Sequence, residues 1–291
     1  MCGLVAIFSK KDRNVDRGVL QKMSDAIVHR GPDDEGIYCN EWLGLGFRRL
    51  AIIDLSALGH QPMFDKTNRY ACIFNGEIYN YRELKKELQA QGISFRGNSD
   101  SEVLLNAYIH WGADCVNRFI GMFAFIIADL KEKSLFIARD FPGIKPLYVI
   151  EDSNFYYFAS EIKAFAKVMP LSANPDCYYE HFNFRYLAGD RTHFNNVYKI
   201  LPGHHWKLSL HGVKKHGVKL KEVWLTHGHL DHAGGAEDVK LALDVPIIGP
   251  HKADQFWMDR ISDDWAKYGH AGVGRDCKPD RYLKDGDVLK L

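Results

Sequence analysis

The sequence predicts a mixed protein in two parts: an α+β part over residues 1–212 and a shorter α/β part over 213–291. Three observations predict it. Short apolar, β-branched and aromatic runs alternate with turn residues over the first 210 or so positions. A few capped, amphipathic helices interrupt those runs. Beyond Gly217 the order becomes strand, His-rich turn, helix, strand.

Taken in order, Cys2 to Ser9 reads as a buried strand, and Leu43 to Asp54 and Arg69 to Phe74 as further strands. Asn80 with Glu83 has the form of a capping box opening a helix, with Tyr81, Leu84 and Leu88 on its apolar face and Gly92 as its stop. Ser99 and Glu102 repeat that arrangement ahead of a helix that Gly112 ends. Phe123 to Leu130 and Leu135 to Asp140 read as a hairpin across Lys131 to Ser134. Phe155 to Ala159 is a strand, followed by a short helix from Glu161. The basic, glycine-containing stretch His211 to Gly217 is expected to be a solvated linker or a helix remnant. After it come a strand at Glu222 to Leu225, a helix at Ala236 to Leu243 and a strand at Val245 to Ile248, with no closing element evident before Leu291.

Composition narrows the function classes. Of 291 residues, 46% are hydrophobic and 26% charged, an ordinary globular balance. A formal net charge of +1 gives no electrostatic case for nucleic acid or an anionic membrane. No apolar run approaches a transmembrane helix, and Gly3 to Phe8 lacks the basic lead of a secretory signal. Six scattered cysteines without a Cys-x-x-Cys pair predict reduced thiols and a cytoplasmic protein.

Cys2 is the first candidate for chemistry. Once Met1 is removed, one residue carries both a thiol and an α-amine, a nucleophile and a base on one carbon. Further motifs follow in order: His29-Arg30-Gly31-Pro32-Asp33, Arg48-Arg49-Leu50-Ala51-Ile52-Ile53-Asp54, Asn75-Gly76-Glu77-Ile78-Tyr79-Asn80, Ser99-Asp100-Ser101-Glu102, Arg139-Asp140, and Gly143-Ile144-Lys145-Pro146-Leu147-Tyr148. Phe158 to Lys163 and Leu201-Pro202-Gly203 extend the series. The set resembles the class II glutamine amidotransferase domain, and most closely the N-terminal glutaminase domain of asparagine synthetases.

The resemblance implies a four-layer αββα sandwich of the N-terminal-nucleophile hydrolase type. It implies hydrolysis of L-glutamine to glutamate and ammonia through a thioester on Cys2, with no cofactor. Asn75 (side-chain N–H) and Gly76 (backbone N–H) are then the oxyanion donors. Arg49 clamps the α-carboxylate, a task for which a guanidinium fork is suited. Asp100 pairs with the α-ammonium, assisted by Glu77 and by main-chain groups of Leu50, Ala51, Ile52 and Ile53. Arg48 is the neighbouring decoy. In the family, ammonia passes to an ATP-using synthetase domain with a Ser-Gly-Gly-x-Asp-Ser loop. That loop is missing here, so a synthetase partner domain or protein acting in trans is expected to supply the acceptor.

A second motif, Thr226-His227-Gly228-His229-Leu230-Asp231-His232, resembles the metallo-β-lactamase fold in its glyoxalase II-like hydrolase branch. The resemblance implies metal ligands at His227, His229, Asp231 and His232. The family's later ligand segments do not follow, so an incomplete fragment of that fold and weak Zn²⁺ binding are expected. Two unrelated pieces joined near residue 212 is the organisation this predicts, whether as a genuine recombinant, an assembly or cloning artefact, or a deliberate chimera. The leading function is therefore glutaminase. The alternatives are a zinc-dependent thioester or ester hydrolase and a catalytically silent glutamine-binding module.

Overall fold

The computed structural model describes residues 2–11, 13–52, 56–217, 219–269, 272 and 274–289, with residue 184 through its backbone alone. The chain forms two compact units, Met1–Gly217 and Val218–Leu291.

In chain order the strands of the first unit are β1 (Gly3–Ser9), β2 (Asp34–Cys39), β3 (Leu43–Arg49), β4 (Met63–Phe64), β5 (Tyr70–Ile78), β6 (Gly121–Asp129), β7 (Ser134–Arg139), β8 (Tyr148–Glu151), β9 (Phe155–Ala159), β10 (Val197–Lys199), β11 (His205–Ser209) and β12 (Gly212–His216). Its helices are α1 (Arg17–Asp25), α2 (Tyr81–Ala90), α3 (Asp100–Trp111), α4 (Lys163–Ala166) and α5 (Asp176–Phe184). Two six-stranded antiparallel sheets result, ordered β10-β8-β9-β1-β3-β2 and β12-β11-β7-β6-β5-β4.

The continuous apolar runs of β1, β5 and β6 follow from burial on both faces. Leu4, Ala6 and Phe8 of β1 meet Ala71 and Ile73 of β5 and Ala124, Ile126 and Ala128 of β6 between the sheets. The alternate residues Val5 and Ile7 turn outward against Leu20, Met23 and Ile27 beneath α1, and against Ala164 and Phe165 of α4. On the far side, Cys72, Phe74, Phe125 and Ile127 pack on Leu84 and Leu88 of α2 and on Val103, Leu104 and Ala107 of α3. Helix, sheet, sheet, helix is the expected αββα layering. Each fully buried Leu, Ile or Phe in these layers contributes about 1.5–3 kcal/mol relative to exposure.

Two local expectations are corrected. Asn80 precedes α2 without capping it. Its Nδ2 donates to Arg118 O at 2.9 Å and its Oδ1 accepts from Ile120 N–H at 2.9 Å, so the side chain ties α2 to the start of β6. Ser99 does cap α3, accepting from Glu102 N–H at 3.3 Å, while the Glu102 carboxylate reaches back to the N–H groups of Arg96 and Gly97. The stretch 211–217 is not a linker: Gly212–His216 is β12, paired residue for residue with β11. Its charge misled because a sheet edge is where lysines such as Lys214 and Lys215 are favoured.

The second unit holds β13 (Val223–Trp224), α6 (Leu230–Ala233), α7 (Ala236–Leu243), β14 (Ile247–His251), α8 (Gln255–Met258), α9 (Ile261–Lys267) and β15 (Arg281–Leu283). Its strands are parallel, in the order β13-β14-β15. Leu225, Ala233, Ala236, Ile247, Met258, Ile261 and Cys277 form its core. β15 is the third strand that the sequence did not announce. Among the described residues, no helix of the chain is long and apolar enough to cross a membrane.

Candidate active site

Cys2 stands at the head of β1, whose register pairs Gly3 with Arg48. That pairing brings the chain just past β3 against the thiol. Leu50 N–H donates to Cys2 Sγ at 3.4 Å, and Sγ lies 3.6 Å from Leu50 O. Two polar side chains fix the main chain here. Arg30 Nε–H donates to Cys2 O at 2.9 Å, and Ser160 Oγ accepts from Leu4 N–H at 3.0 Å. Arg30 is anchored in turn by Glu161, whose Oε1 lies 2.9 Å from Arg30 Nη1 and 2.9 Å from His29 Nε2. Desolvation opposes ionisation of Glu161, but the hydrogen bonds from Arg30, Lys163 and His29 outweigh it and hold the carboxyl down at about 2. Burial pushes the Cys2 thiol up, and the Leu50 N–H and the Arg49 charge only partly counter it, so the resting group is a thiol that needs a base.

Cys2 lines a cleft of about 150 Å³ together with Arg49, Leu50, Ile52, Asn75, Gly76, Glu77 and Asp100. The two adjacent arginines part company. Arg49 is buried and lines the cleft, with Nη1 donating to Ser56 O at 3.0 Å. Gly59 lies against its guanidinium: a Cβ there would stand 2.1 Å from Arg49 Nη2. Arg48 turns to Asp25 and Glu35, at 2.5 and 2.8 Å. Ala51 does not line the cleft, because its N–H is committed to Asp33 Oδ2 at 2.9 Å. Ile53, also expected at the substrate, lies outside the described residues.

Asn75 and Gly76 sit on β5, paired with Ala124 and Phe123 of β6. The Asn75 side chain is 1% exposed, and its Nδ2 has no hydrogen-bond partner among the described residues. A buried amide donor left unpaired costs about 1–3 kcal/mol, so this one is held for something that enters the cleft. Gly76 admits no side chain, since a Cβ would stand 2.3 Å from Met122 O and 2.7 Å from Phe123 Cα. Asp100 opens α3 and accepts Ile78 N–H at 3.1 Å, which fixes its carboxylate beside the end of β5. Burial, with Glu77 adding, pushes Asp100 up to about 6 against the pull of the Ile78 and Ser101 N–H groups.

The family comparisons agree with this geometry. A model of the glutamine amidotransferase domain matches residues 1–221. The chain belongs to the glutamine amidotransferase domain family. It is 40% identical over 207 residues to asparagine synthetase [glutamine-hydrolyzing] 1 of Bacillus subtilis, spanning 70% of this chain and 33% of that protein. A putative asparagine synthetase [glutamine-hydrolyzing] 2 of Methanocaldococcus jannaschii is 37% identical over 222 residues, 69% of this chain and 42% of that one. The chain thus spans about a third to two fifths of these relatives' lengths. Among solved structures, glutamine phosphoribosylpyrophosphate amidotransferase from B. subtilis, complexed with ADP and GMP, superposes with a TM-score of 0.57 at 19% identity, covering 74% of this chain and 49% of that one. The first unit is therefore an αββα sandwich of the N-terminal-nucleophile hydrolase type. A metallo-beta-lactamase superfamily model matches residues 201–290.

Reading the amidotransferase motifs alone misses several residues of the cleft wall. Gln61 is buried: its Oε1 accepts Phe74 N–H at 2.6 Å, and its Nε2 donates to Ser101 Oγ at 3.3 Å. It therefore braces the strand residue preceding Asn75 against the start of α3. Met122 and Lys145 also line the cleft. Met122 is placed by its pairing with Glu77 across β5 and β6, Gln61 by its bonds to Phe74 and Ser101, and Lys145 by the bond of its N–H to Asp140.

In the second unit, His227, Asp231 and His232 offer ligand atoms within 4.8 Å of one another. The His227 and His232 rings lie 3.9 Å apart. His229, expected among the ligands, is outside this group and packs edge-on against Trp257 at 4.9 Å. Two imidazoles and a carboxylate are a donor set that suits Zn²⁺.

Proposed function

We propose that the first unit hydrolyses the side-chain carboxamide of L-glutamine to glutamate and ammonia, with Cys2 as nucleophile. One observation carries the reading: a buried, unpartnered amide donor, Asn75 Nδ2, lines the same cleft as the Cys2 sulfur. Loss of Met1 gives Cys2 its own α-amine, which takes the thiol proton. Sγ then bonds to the carboxamide carbon, and the carbonyl electron pair moves onto oxygen, where Asn75 Nδ2–H and Gly76 N–H receive it. Collapse breaks the C–N bond, ammonia leaves with the proton returned by the amine, and water hydrolyses the thioester. Arg49, and Asp100 with Glu77, all line the cleft and suit the carboxylate and ammonium of an amino-acid head. An acceptor domain or protein beyond this sequence consumes the ammonia. All six cysteines are free thiols, which suits a reducing compartment such as the cytoplasm.

The test is glutamate release by protein of verified N-terminus, beside Cys2→Ala. Equal release by wild type and Cys2→Ala overturns the assignment, and glutamine binding without turnover leaves a silent binding module instead.

A second reading concerns the second unit alone. The convergence of His227, Asp231 and His232 favours a Zn²⁺ site held by these three residues, where the metal would supply Lewis-acid chemistry for ester or thioester hydrolysis. Metal analysis after zinc loading and desalting checks it. His227→Ala and His232→Ala should lose the metal while His229→Ala retains it.

A further inference from the structure

Lys145 is 5% exposed and lines the cleft with Asn75, Gly76 and Met122, yet the chemistry above gives it no task. Its main chain is pinned on both sides. Lys145 N–H donates to Asp140 Oδ2 at 3.0 Å, and its carbonyl oxygen accepts Arg139 Nε–H at 2.8 Å. Asp140, fully buried, also accepts Phe123 N–H at 3.0 Å and Ile144 N–H at 2.7 Å. Phe123 is the cross-strand neighbour of Gly76. Arg139 completes the clamp, donating to Ile200 O and Gly143 O at 2.6 Å each.

Two charged side chains thus spend their hydrogen bonds on fixing the backbone of residue 145 relative to Asn75 and Gly76. The Lys145 ammonium itself has no hydrogen-bond or ion-pair partner among the described residues. The residue is buried as a whole and lines the cleft, so a positive charge that no protein group pairs with is available to what enters there. The clamp through Asp140 ties the Lys145 backbone to Phe123, the cross-strand neighbour of Gly76. Negative charge develops beside Gly76 only when sulfur adds to the carboxamide carbon.

Resting on the glutamine-hydrolysing reading, we propose that Lys145 is a further catalytic residue, its ammonium joining Asn75 Nδ2–H and Gly76 N–H in stabilising the oxyanion of the tetrahedral adduct. No proton passes through Lys145 in this step. The electron pair that arrives on oxygen returns to re-form the carbonyl as ammonia leaves. Asp140 and Arg139 are its positioning residues.

The experiment compares wild type, Lys145→Met and Lys145→Arg with processed N-termini, measuring kcat and KM for glutamate release. Glutamine Kd is measured for each in a Cys2→Ala background. Lys145→Met should lower kcat about 100-fold, the loss typical of an oxyanion donor, with KM and Kd within about threefold of wild type. Lys145→Arg should recover at least about a tenth of the lost rate. If Lys145→Met does not fold, Lys145→Gln carries the same readouts. A neutral variant with kcat within about threefold of wild type overturns the proposal, as does a Kd that rises in step with the loss of kcat/KM. A wild type that turns over no glutamine sinks the parent reading and this one together, whereas an active wild type matched by Lys145→Met sinks this one alone.

Discussion

Arg30 holds Cys2 by its carbonyl: Nε–H donates to Cys2 O at 2.9 Å while Nη1 meets Glu161 at 2.9 Å. The nucleophile is therefore placed by an ion pair that titrates. Glu161 is held down at about 2, below an ordinary carboxyl, so its contribution is present above about pH 4.5 and is lost as pH falls toward 2. Urea unfolding should find Glu161→Gln about 1–2 kcal/mol less stable than wild type at pH 7, with the two converging below pH 3. A gap that persists at pH 2 means the carboxylate does not hold this cluster.

Asn75→Ala should separate activity from stability. Its Nδ2 bonds to no protein group among the described residues, so truncation removes an unsatisfied donor and should change the unfolding free energy by less than about 1 kcal/mol. Glutamate release should nonetheless fall about 100–1,000-fold in kcat. A variant that loses stability while keeping its rate contradicts the oxyanion role.

Asp100 should give glutamine binding an acid limb. With its carboxyl raised to about 6, the anion that meets the substrate ammonium disappears below that pH, and KM should climb as pH drops from 7 to 5. The stability effect has the opposite sense from that of Glu161. The folded state holds this proton more tightly than the unfolded one, so the group's contribution falls as pH rises from about 4 to 6. Asp100→Asn should thus be about 1–2 kcal/mol more stable than wild type at pH 7, while its KM is about 10–100-fold higher and independent of pH in this range. Calorimetric melting beside steady-state kinetics reads both, and unchanged KM rejects the ammonium contact.

Gly59→Ala tests the carboxylate clamp without replacing Arg49. The new methyl group would collide with the end of the buried Arg49 side chain and displace it from Ser56 O, so the fold should lose about 1–3 kcal/mol. KM for glutamine should rise about tenfold or more, with kcat changed far less. If KM does not move, Arg49 does not bind the substrate head.

Much of the cleft was legible in the chain because its residues travel in compact motifs. Cys2, Arg49, Leu50, Ile52, Asn75, Gly76, Glu77 and Asp100 all line it. Met122 and Gln61 were not legible, since one reaches the cleft through the pairing of β5 with β6 and the other through bonds to Phe74 and Ser101; Lys145 stands in a motif that does not by itself show the Asp140 bond holding it at the cleft. Both helix starts are legible, but the capping bond forms only where no distant segment competes, as at Ser99; at Asn80 the side chain is claimed by Arg118 and Ile120 instead. The β strand at Gly212–His216 was hidden by its charge, and the His229 contact with Trp257 by a separation of 28 positions.

That strand also settles where the first unit could be severed. Trp206 lies beneath the Lys215 ammonium at 4.2 Å, and each residue from His205 to Ser209 already has its neighbour between Gly212 and His216. A protease nick after Gly217 would release a body with its backbone inventory whole, whereas a stop codon at position 212 would bare one side of His205–Ser209 as an adhesive seam and invite self-association.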